Sequence, residues 1–194
     1  MNSVLSIPEH HPLKPFLPAG ATILMLGSFP PPREKWSMDF FYPNFQNDMW
    51  RIIGLLYYND PAYFIAGKRF DAQKVITFCQ DKEIALYDTA RTVIRQRNNA
   101  SDKYLEVVER TDIPELLERL PECRRIVVTG QKAIETLLES LSSSGLEVSE
   151  PVIGEFSGFI FAGREIHLYR MPSTSRAYPL SIVEKAKIYQ RVFG

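Results

Sequence analysis

"TILMLGSFPPPREKWSMDFFYPNFQNDMW", residues 22–50, decides how the chain is read. It opens on an apolar run, residues 22–26, that is too short for a helix and stops at Gly27, so it reads as a buried strand. Four prolines and a series of aromatic side chains follow, with no helical pattern until the end. A loop of that length inside a compact protein usually serves function or is disordered. Its aromatic content argues against disorder.

Three more runs read as buried strands: "IALY" (84–87), "RIVVT" (125–129) and "IHLYR" (166–170). Helical patterns separate them. Residues 48–58 put Trp50, Ile53, Leu56 and Tyr57 on one face, and residues 71–82 open with Asp71 as an N-cap. Residues 112–120 carry Asp112, then Pro114 and Glu115, a strong helix start. Residues 131–141 run into "SSSG", and residues 181–192 begin at Ser181. Strands alternating with helices predict an α/β fold, a largely parallel sheet with helices on both faces. Residues 142–158 are expected to hold a loop or an irregular extra strand. Residues 159–166 suggest a hairpin turning at Ala162 and Gly163.

Each strand runs into a small, polar turn: Gly27-Ser28-Phe29-Pro30, Asp88-Thr89, Gly130-Gln131, and Met171-Pro172-Ser173-Thr174-Ser175. In open α/β sheets ligands bind in the crevice beyond the carboxyl ends of the strands. That crevice is the expected site.

Composition narrows the function classes. At 194 residues, 45% hydrophobic and 24% charged, the chain suits one domain with a substantial core. Its formal net charge is zero, so no global field draws it to nucleic acid or membrane, although a local patch can suffice. Cys79 and Cys123 are far apart, suit a reducing compartment and cannot alone ligate zinc or an iron–sulfur cluster. Of His10, His11 and His167, only His167 lies in a regular pattern, where it reads as a strand histidine rather than a ligand. The N-terminus lacks the marks of a signal peptide, and no apolar run approaches membrane-spanning length; a cytoplasmic protein without membrane contact is expected.

No phosphate-binding G-x-x-x-x-G-K-[ST] loop, no G-x-S-x-G elbow and no G-x-G-x-x-G turn is present. What remains is neutral polar chemistry: Asn44, Gln46 and Asn47 in the long loop, and the Ser-Thr-Ser turn. Amides hold a water or read a base edge but are poor proton acceptors. They suit a reaction whose transition state needs positioning more than a strong base. Cleavage of an N-glycosidic bond is one such reaction.

These segments together resemble the uracil-DNA glycosylase superfamily, nearest its hypoxanthine-acting (deoxyinosine) and mismatch-specific uracil-acting branches. Gly27-Ser28-Phe29-Pro30 matches the first block of the hypoxanthine-acting branch. Phe40 to Trp50 aligns without a gap with its middle block, and Met171 to Ser175 with its last. Asn47 falls on that branch's catalytic asparagine and Trp50 on its tryptophan. Asp88, Arg97, Ser101 and Asp102 match its strand-Asp and R-x-G-S-x-D segment. The order holds over residues 20 to 192. The chain departs at Pro43-Asn44-Phe45, where the family has Gly-His-Pro, at Gln46, where it has Arg, and at Asn99-Ala100. Most other branches carry Asn or Asp where Phe29 stands.

The resemblance implies a three-layer α/β/α fold with a central, mostly parallel four-stranded sheet, in one domain over 1–194 with residues 1–20 as an N-terminal extension. It implies a monofunctional DNA glycosylase that hydrolyses the N-glycosidic bond of a deaminated base, uracil or hypoxanthine. Such an enzyme extrudes the base from the duplex, needs no cofactor and no metal, and would be a monomer whose partner is DNA with a damaged or mismatched base. Asn47 would hold the attacking water. Gly27, Ser28, Phe29, Pro30, Phe41 and Asp88 would form the base pocket. Met171, Pro172, Ser173, Thr174, Ser175 and Arg176 would grip DNA, with Arg33 and Lys35 adding positive charge at the rim. A catalytically silent protein of the same fold, binding DNA or a nucleobase compound, would use the same crevice. From the residues alone, Asn47 reads equally as a helix cap, Phe40, Phe41 and Phe45 as a hydrophobic cluster, Ser173 to Ser175 as a plain turn, and residues 95–103 as a solvated loop.

Overall fold

The computed structural model describes residues 7–96 and 101–194. In chain order the first strands are β1 (Glu9–His10) and β2 (Ile23–Gly27), followed by α1 (Met49–Tyr58) and a short hairpin, β3 (Ile65–Ala66) and β4 (Arg69–Phe70). Then come α2 (Ala72–Asp81), β5 (Ile84–Asp88), β6 (Ala90–Arg95) and β7 (Leu105–Arg110). The remainder is α3 (Ile113–Glu118), β8 (Arg125–Thr129), α4 (Gln131–Ser143), β9 (Phe156–Phe161), β10 (Arg164–Met171) and α5 (Ile182–Phe193).

The central sheet has the order β5-β2-β8-β10-β9. Its first four strands are parallel and correspond to the four apolar runs of the sequence. Every residue of β2 and β5 is buried, as expected of strands covered on both faces. On the covering layers α1 packs on α5, while α3 packs on α4. The sheet has five strands rather than the expected four, because β9 adds to the edge antiparallel to β10. The two-residue turn is Ala162-Gly163, both at positive φ, as a tight hairpin of right-handed strands requires.

Helix starts follow the sequence signals. Asp71 accepts from the Lys74 amide at 3.1 Å, Asp112 from the Glu115 amide at 2.9 Å, and Ser181 forms a reciprocal capping box with Glu184. The first turns of α1 bury more than one face: Met49, Arg51, Ile52 and Gly54 are buried along with Trp50 and Ile53, whereas Leu56 and Tyr57 are only half-buried.

A second sheet, β1-β6-β7, is not apparent in the apolar runs. β7 buries only Leu105 fully, so its pattern reads as solvated. This sheet carries the N-terminal segment into the fold: the His11 amide bonds the Arg91 carbonyl, and Phe16 exchanges two backbone hydrogen bonds with Leu86. Residues 9–16, expected to lie within an extension, are thus tied to β5 and β6. His167 is a strand residue of β10, stacked on Phe156. Cys79 and Cys123 are unpaired and buried. No helix among the described residues is long and apolar enough to cross a membrane.

Candidate functional site

The chain passes from β2 to β5 on one side, then crosses to β8 on the other. Strand order therefore reverses beside β2, and the turns after β2 and β8 diverge to leave a crevice. A cavity of about 440 Å³ lies there. Its wall includes Gly27 to Pro31, Phe41 to Asn44, Asn47, Asp88, Ser101, Asp102, Thr129 and Ser173 to Ser175. All six expected pocket residues and Asn47 line it. Arg97, Asn99 and Ala100 fall outside the described residues.

Asn47 stands half-buried just before α1, and its whole peptide is fixed. Its amide donates to the Asn44 carbonyl at 2.8 Å, and its own carbonyl accepts from Arg51 Nη1 at 3.0 Å. Its side-chain Oδ1 accepts from the Met49 amide at 2.9 Å. The capping role read from the residues is present, and the Nδ2 group and a second lone pair on Oδ1 stay available to a water. Arg51 is buried against the rings of Phe45 and Phe70 and also holds the Phe45 carbonyl. Desolvation, reinforced by Arg176, lowers its guanidinium from the ordinary range. Trp50 donates to the Phe41 carbonyl at 3.0 Å, pinning the aromatic part of the loop.

The loop after β10 is laced to the start of α1. The Asp48 amide donates to the Thr174 carbonyl at 2.8 Å, and Asn47 bridges Ser175. The buried Asp48 carboxylate receives Arg176 Nε at 3.1 Å and Lys185 Nζ at 3.0 Å. Lys185 is 0% exposed and also reaches the Ser175 carbonyl. A carboxylate taken out of water must be paired and hydrogen-bonded in this way to offset its desolvation. Met171, Pro172 and Thr174 are buried anchors of the loop, and Tyr189 donates to the Pro172 carbonyl. Only Ser175 and Arg176 are exposed, with Ser173 half-buried, so half of the expected DNA-gripping set shapes the loop instead of presenting to solvent. The turn reading also holds: Ser173 and Ser175 hydroxyls accept from the amides of Ser175 and Ala177. At the rim Lys35 lines the cavity, whereas Arg33 lies over Trp36 and pairs with Asp39.

The opposite wall joins Asp88, expected in the crevice, to His11 and Tyr42, which the sequence pattern did not connect with it. Asp88 ends β5, and its Oδ2 lies 2.9 Å from His11 Nε2, in hydrogen-bond contact. The His11 side chain is 2% exposed and packs against Tyr87, Phe29 and Phe41. A Cβ on Gly27 would stand 2.6 Å from Asp88 Oδ1, so glycine is required there for the carboxylate to lie over the end of β2. Tyr42, at φ 52°, turns its hydroxyl to Thr129 Oγ1 at 3.1 Å; burial and the nearby Asp88 push its phenol well above the ordinary range. A tyrosine in that backbone region is uncommon and marks a loop held by its surroundings. Asp102 follows β6 and faces the same cavity. Burial raises its carboxyl above the usual range; Asp88 adds repulsion, while a Ser28 hydrogen bond, Arg95 and Lys132 oppose the rise. Arg95 bonds the Pro30 carbonyl at 3.0 Å and pairs with Glu9, which ties the first loop to the N-terminal strand.

Phe29 and Phe41 line the cavity but are largely buried, Phe41 edge-on to Phe40 in the main core and Phe29 in a small cluster with Ala90, Val93 and Leu105. His11, Tyr42, Asp48 and Lys185 were missed as site residues. Lys185 carried a signal: it sits on the apolar stripe of Ile182, Ala186 and Tyr189, where a solvated lysine does not belong. His11 carried none. Among the described residues, no cluster of three His, Cys, Asp or Glu side chains is placed to hold a metal ion.

Together the sheet order and the cavity define an open α/β protein with a cavity at the carboxyl ends of the strands. No family model and no curated protein matches the chain by sequence. Among solved structures, its fold is similar to the solution NMR structure of a "putative Uracil DNA glycosylase" from Methanosarcina acetivorans. The TM-score is 0.65 at 22% identity, over 96% of this chain and 97% of that one. A likeness at that identity establishes the fold.

Proposed function

We propose that the protein is a monofunctional DNA glycosylase that hydrolyses the N-glycosidic bond of a deaminated base, uracil or hypoxanthine. The observation that carries the reading is convergence: the turns after β2 and β10 and the last residues of β5 and β8, Asp88 and Thr129, meet at one cavity, with Asn47 fixed on its wall. The base enters beside Gly27, Ser28, Phe29, Pro30, Phe41 and Asp88. Asn47 orients a water toward the sugar, using the part of its amide that the helix cap leaves over. The transition state resembles an oxocarbenium ion, and its positive charge is favoured by the Asp88 carboxylate. Ser173, Ser175, Arg176 and Lys35 contact the strand at the rim, which positions DNA without reading sequence. The name of the fold neighbour from Methanosarcina acetivorans points the same way.

A second reading has two observations in its favour. Asn47 Oδ1 already serves the Met49 amide, and the chain departs from the family pattern at Pro43 to Gln46. On that reading the cavity binds DNA or a nucleobase compound without chemistry. Oligonucleotides containing uracil, hypoxanthine or xanthine, single- and double-stranded, separate the two. Incubation followed by alkaline cleavage should yield a shortened strand from at least one of them; intact strands in every case would leave only the binding reading.

A further inference from the structure

The two edges of the central sheet end differently. At β5 the chain covers its own edge, where Phe16 exchanges two backbone hydrogen bonds with Leu86. At β9 the edge is bare. The two-residue turn makes Phe161 and Arg164 the closing pair of the β9–β10 ladder, and beyond its far end the Arg170 amide bonds the Glu155 carbonyl. The odd-numbered residues of β9 therefore turn their backbone to β10. The N–H and C=O groups of Phe156, Gly158 and Ile160 point away from the sheet, and among the described residues no backbone group from another segment bonds them. Edge strands are ordinarily protected by charge, proline or a bulge. Residues 156–161, "FSGFIF", have no charge and no proline, and they pair with β10 without a register shift. On the open face Phe156 is 47% and Ile160 61% exposed. Phe156 is held there by His167, stacked at 4.3 Å, and by Tyr169.

A row of unpaired donors and acceptors beside fixed apolar side chains is a template for another strand. We propose that β9 pairs antiparallel with β9 of a second copy, forming a two-fold dimer whose central sheet runs on across the interface. The occupant is a second copy because the strand is complementary to itself. A two-fold arrangement in which every outward residue finds a partner sets Gly158 opposite Gly158 of the partner subunit, and Phe156 opposite Ile160 of the partner subunit. Each such pair exchanges two hydrogen bonds. An aromatic side chain then meets a β-branched one, a favourable cross-strand pair repeated by the symmetry, with a glycine between the two at the axis. A slip of two residues would set Phe156 against glycine and leave an outward residue unpaired. The strand bears no charge, so no like charges meet. The pairing turns the second copy end for end, so the cavities at the carboxyl ends of the strands open at opposite ends of the joined sheet, and no residue of β9 lines either one. A six-residue edge is a small interface, which makes the association reversible. This dimer stands in place of the monomer that the resemblance implies, and it is independent of the chemistry in the cavity.

The test is sedimentation velocity of the full chain from ~1 μM to ~1 mM, beside amide hydrogen exchange over the same range. The sedimentation coefficient should rise with concentration from the monomer value toward that of a dimer. The amides of Phe156, Gly158 and Ile160 should exchange about tenfold more slowly at the top of the range. Those of Ser157 and Phe159, already bonded to β10, should change little. Ile160→Lys places a charge on the edge at an exposed position and should weaken the dimer by about tenfold or more. Gly158→Pro removes the outward N–H at the axis and no hydrogen bond to β10, and should weaken it as well. If a variant fails to fold, the exchange pattern of the wild type decides alone. A monomer throughout the range, a folded Ile160→Lys that dimerises like wild type, or self-association that leaves the outward amides of β9 unprotected would overturn the proposal.

Discussion

The two walls of the cavity use charge in opposite ways. On the α1 side the buried charges are structural: Asp48 and Lys185 are spent on each other, Lys185 also on the Ser175 carbonyl, and Arg51 on backbone carbonyls, while the exposed Arg176 gives Asp48 only its Nε. What that wall offers the cavity is an amide, Asn47, and the hydroxyl-bearing residues of 173–175. On the β5 side the charges face inward: Asp88 and Asp102 line the cavity, and His11 stands behind. A wall of neutral groups on a rigid frame suits holding a water and a sugar–phosphate strand. The contrast teaches that a net charge of zero says little about a cavity, because cations can be buried as scaffold while carboxyls line the opening.

This division can be broken from either side, and the largest effect is expected at Lys185. Lys185→Met would leave Asp48 buried with only the half-exposed Arg176. Removing one partner of a buried pair costs about 3–5 kcal/mol, so calorimetry should show the melting temperature falling by at least ~6 °C in a chain of this size. A melting point within a degree of wild type would mean the frame does not depend on this charge. Gly27→Ala comes next. The added methyl collides with Asp88 Oδ1, which His11 holds from the other oxygen, and overpacking of this kind costs about 1–3 kcal/mol. Base binding should suffer with it, and retention of both stability and binding would show that Asp88 is not confined.

Arg176→Ala should act more weakly. Its side chain is 49% exposed, so the pair with Asp48 adds little to stability. The slope of log affinity for DNA against log salt should fall by about one if Arg176 meets a phosphate, with affinity reduced similarly for all sequences. A change in base preference with DNA affinity intact would mean that the loop after β10 reads the base and that the two walls are not divided as described. Smallest of all is the expected effect of EDTA on strand cleavage, which is none; loss of activity restored by one specific divalent ion would bring a metal into the mechanism.

The first wall was far more legible in the sequence than the second. Gly27 to Pro30, Asn47 and residues 171–175 each follow an apolar strand or precede a helix, so local pattern places them at one end of the sheet. Capping residues were equally readable, because Asp71, Asp112 and Ser181 act on amides three residues away. The wall on the β5 side depends on contacts across long separations: His11 meets Asp88 77 residues on, and Asp102 reaches the cavity through a hairpin whose second strand is mostly solvated. Neither leaves a periodic trace. The fifth strand was half legible, since the turn at Ala162-Gly163 was visible but the pairing of residues 156–158 with β10 was not.

The central proposal is that Asn47 positions the attacking water. The direct measurement is the single-turnover cleavage rate of Asn47→Ala on the best deaminated oligonucleotide, taken beside its equilibrium affinity for the same strand. The rate should drop by ~10² or more, as for loss of one positioned catalytic group, with affinity nearly unchanged. Equal rates for the variant and wild type would contradict it.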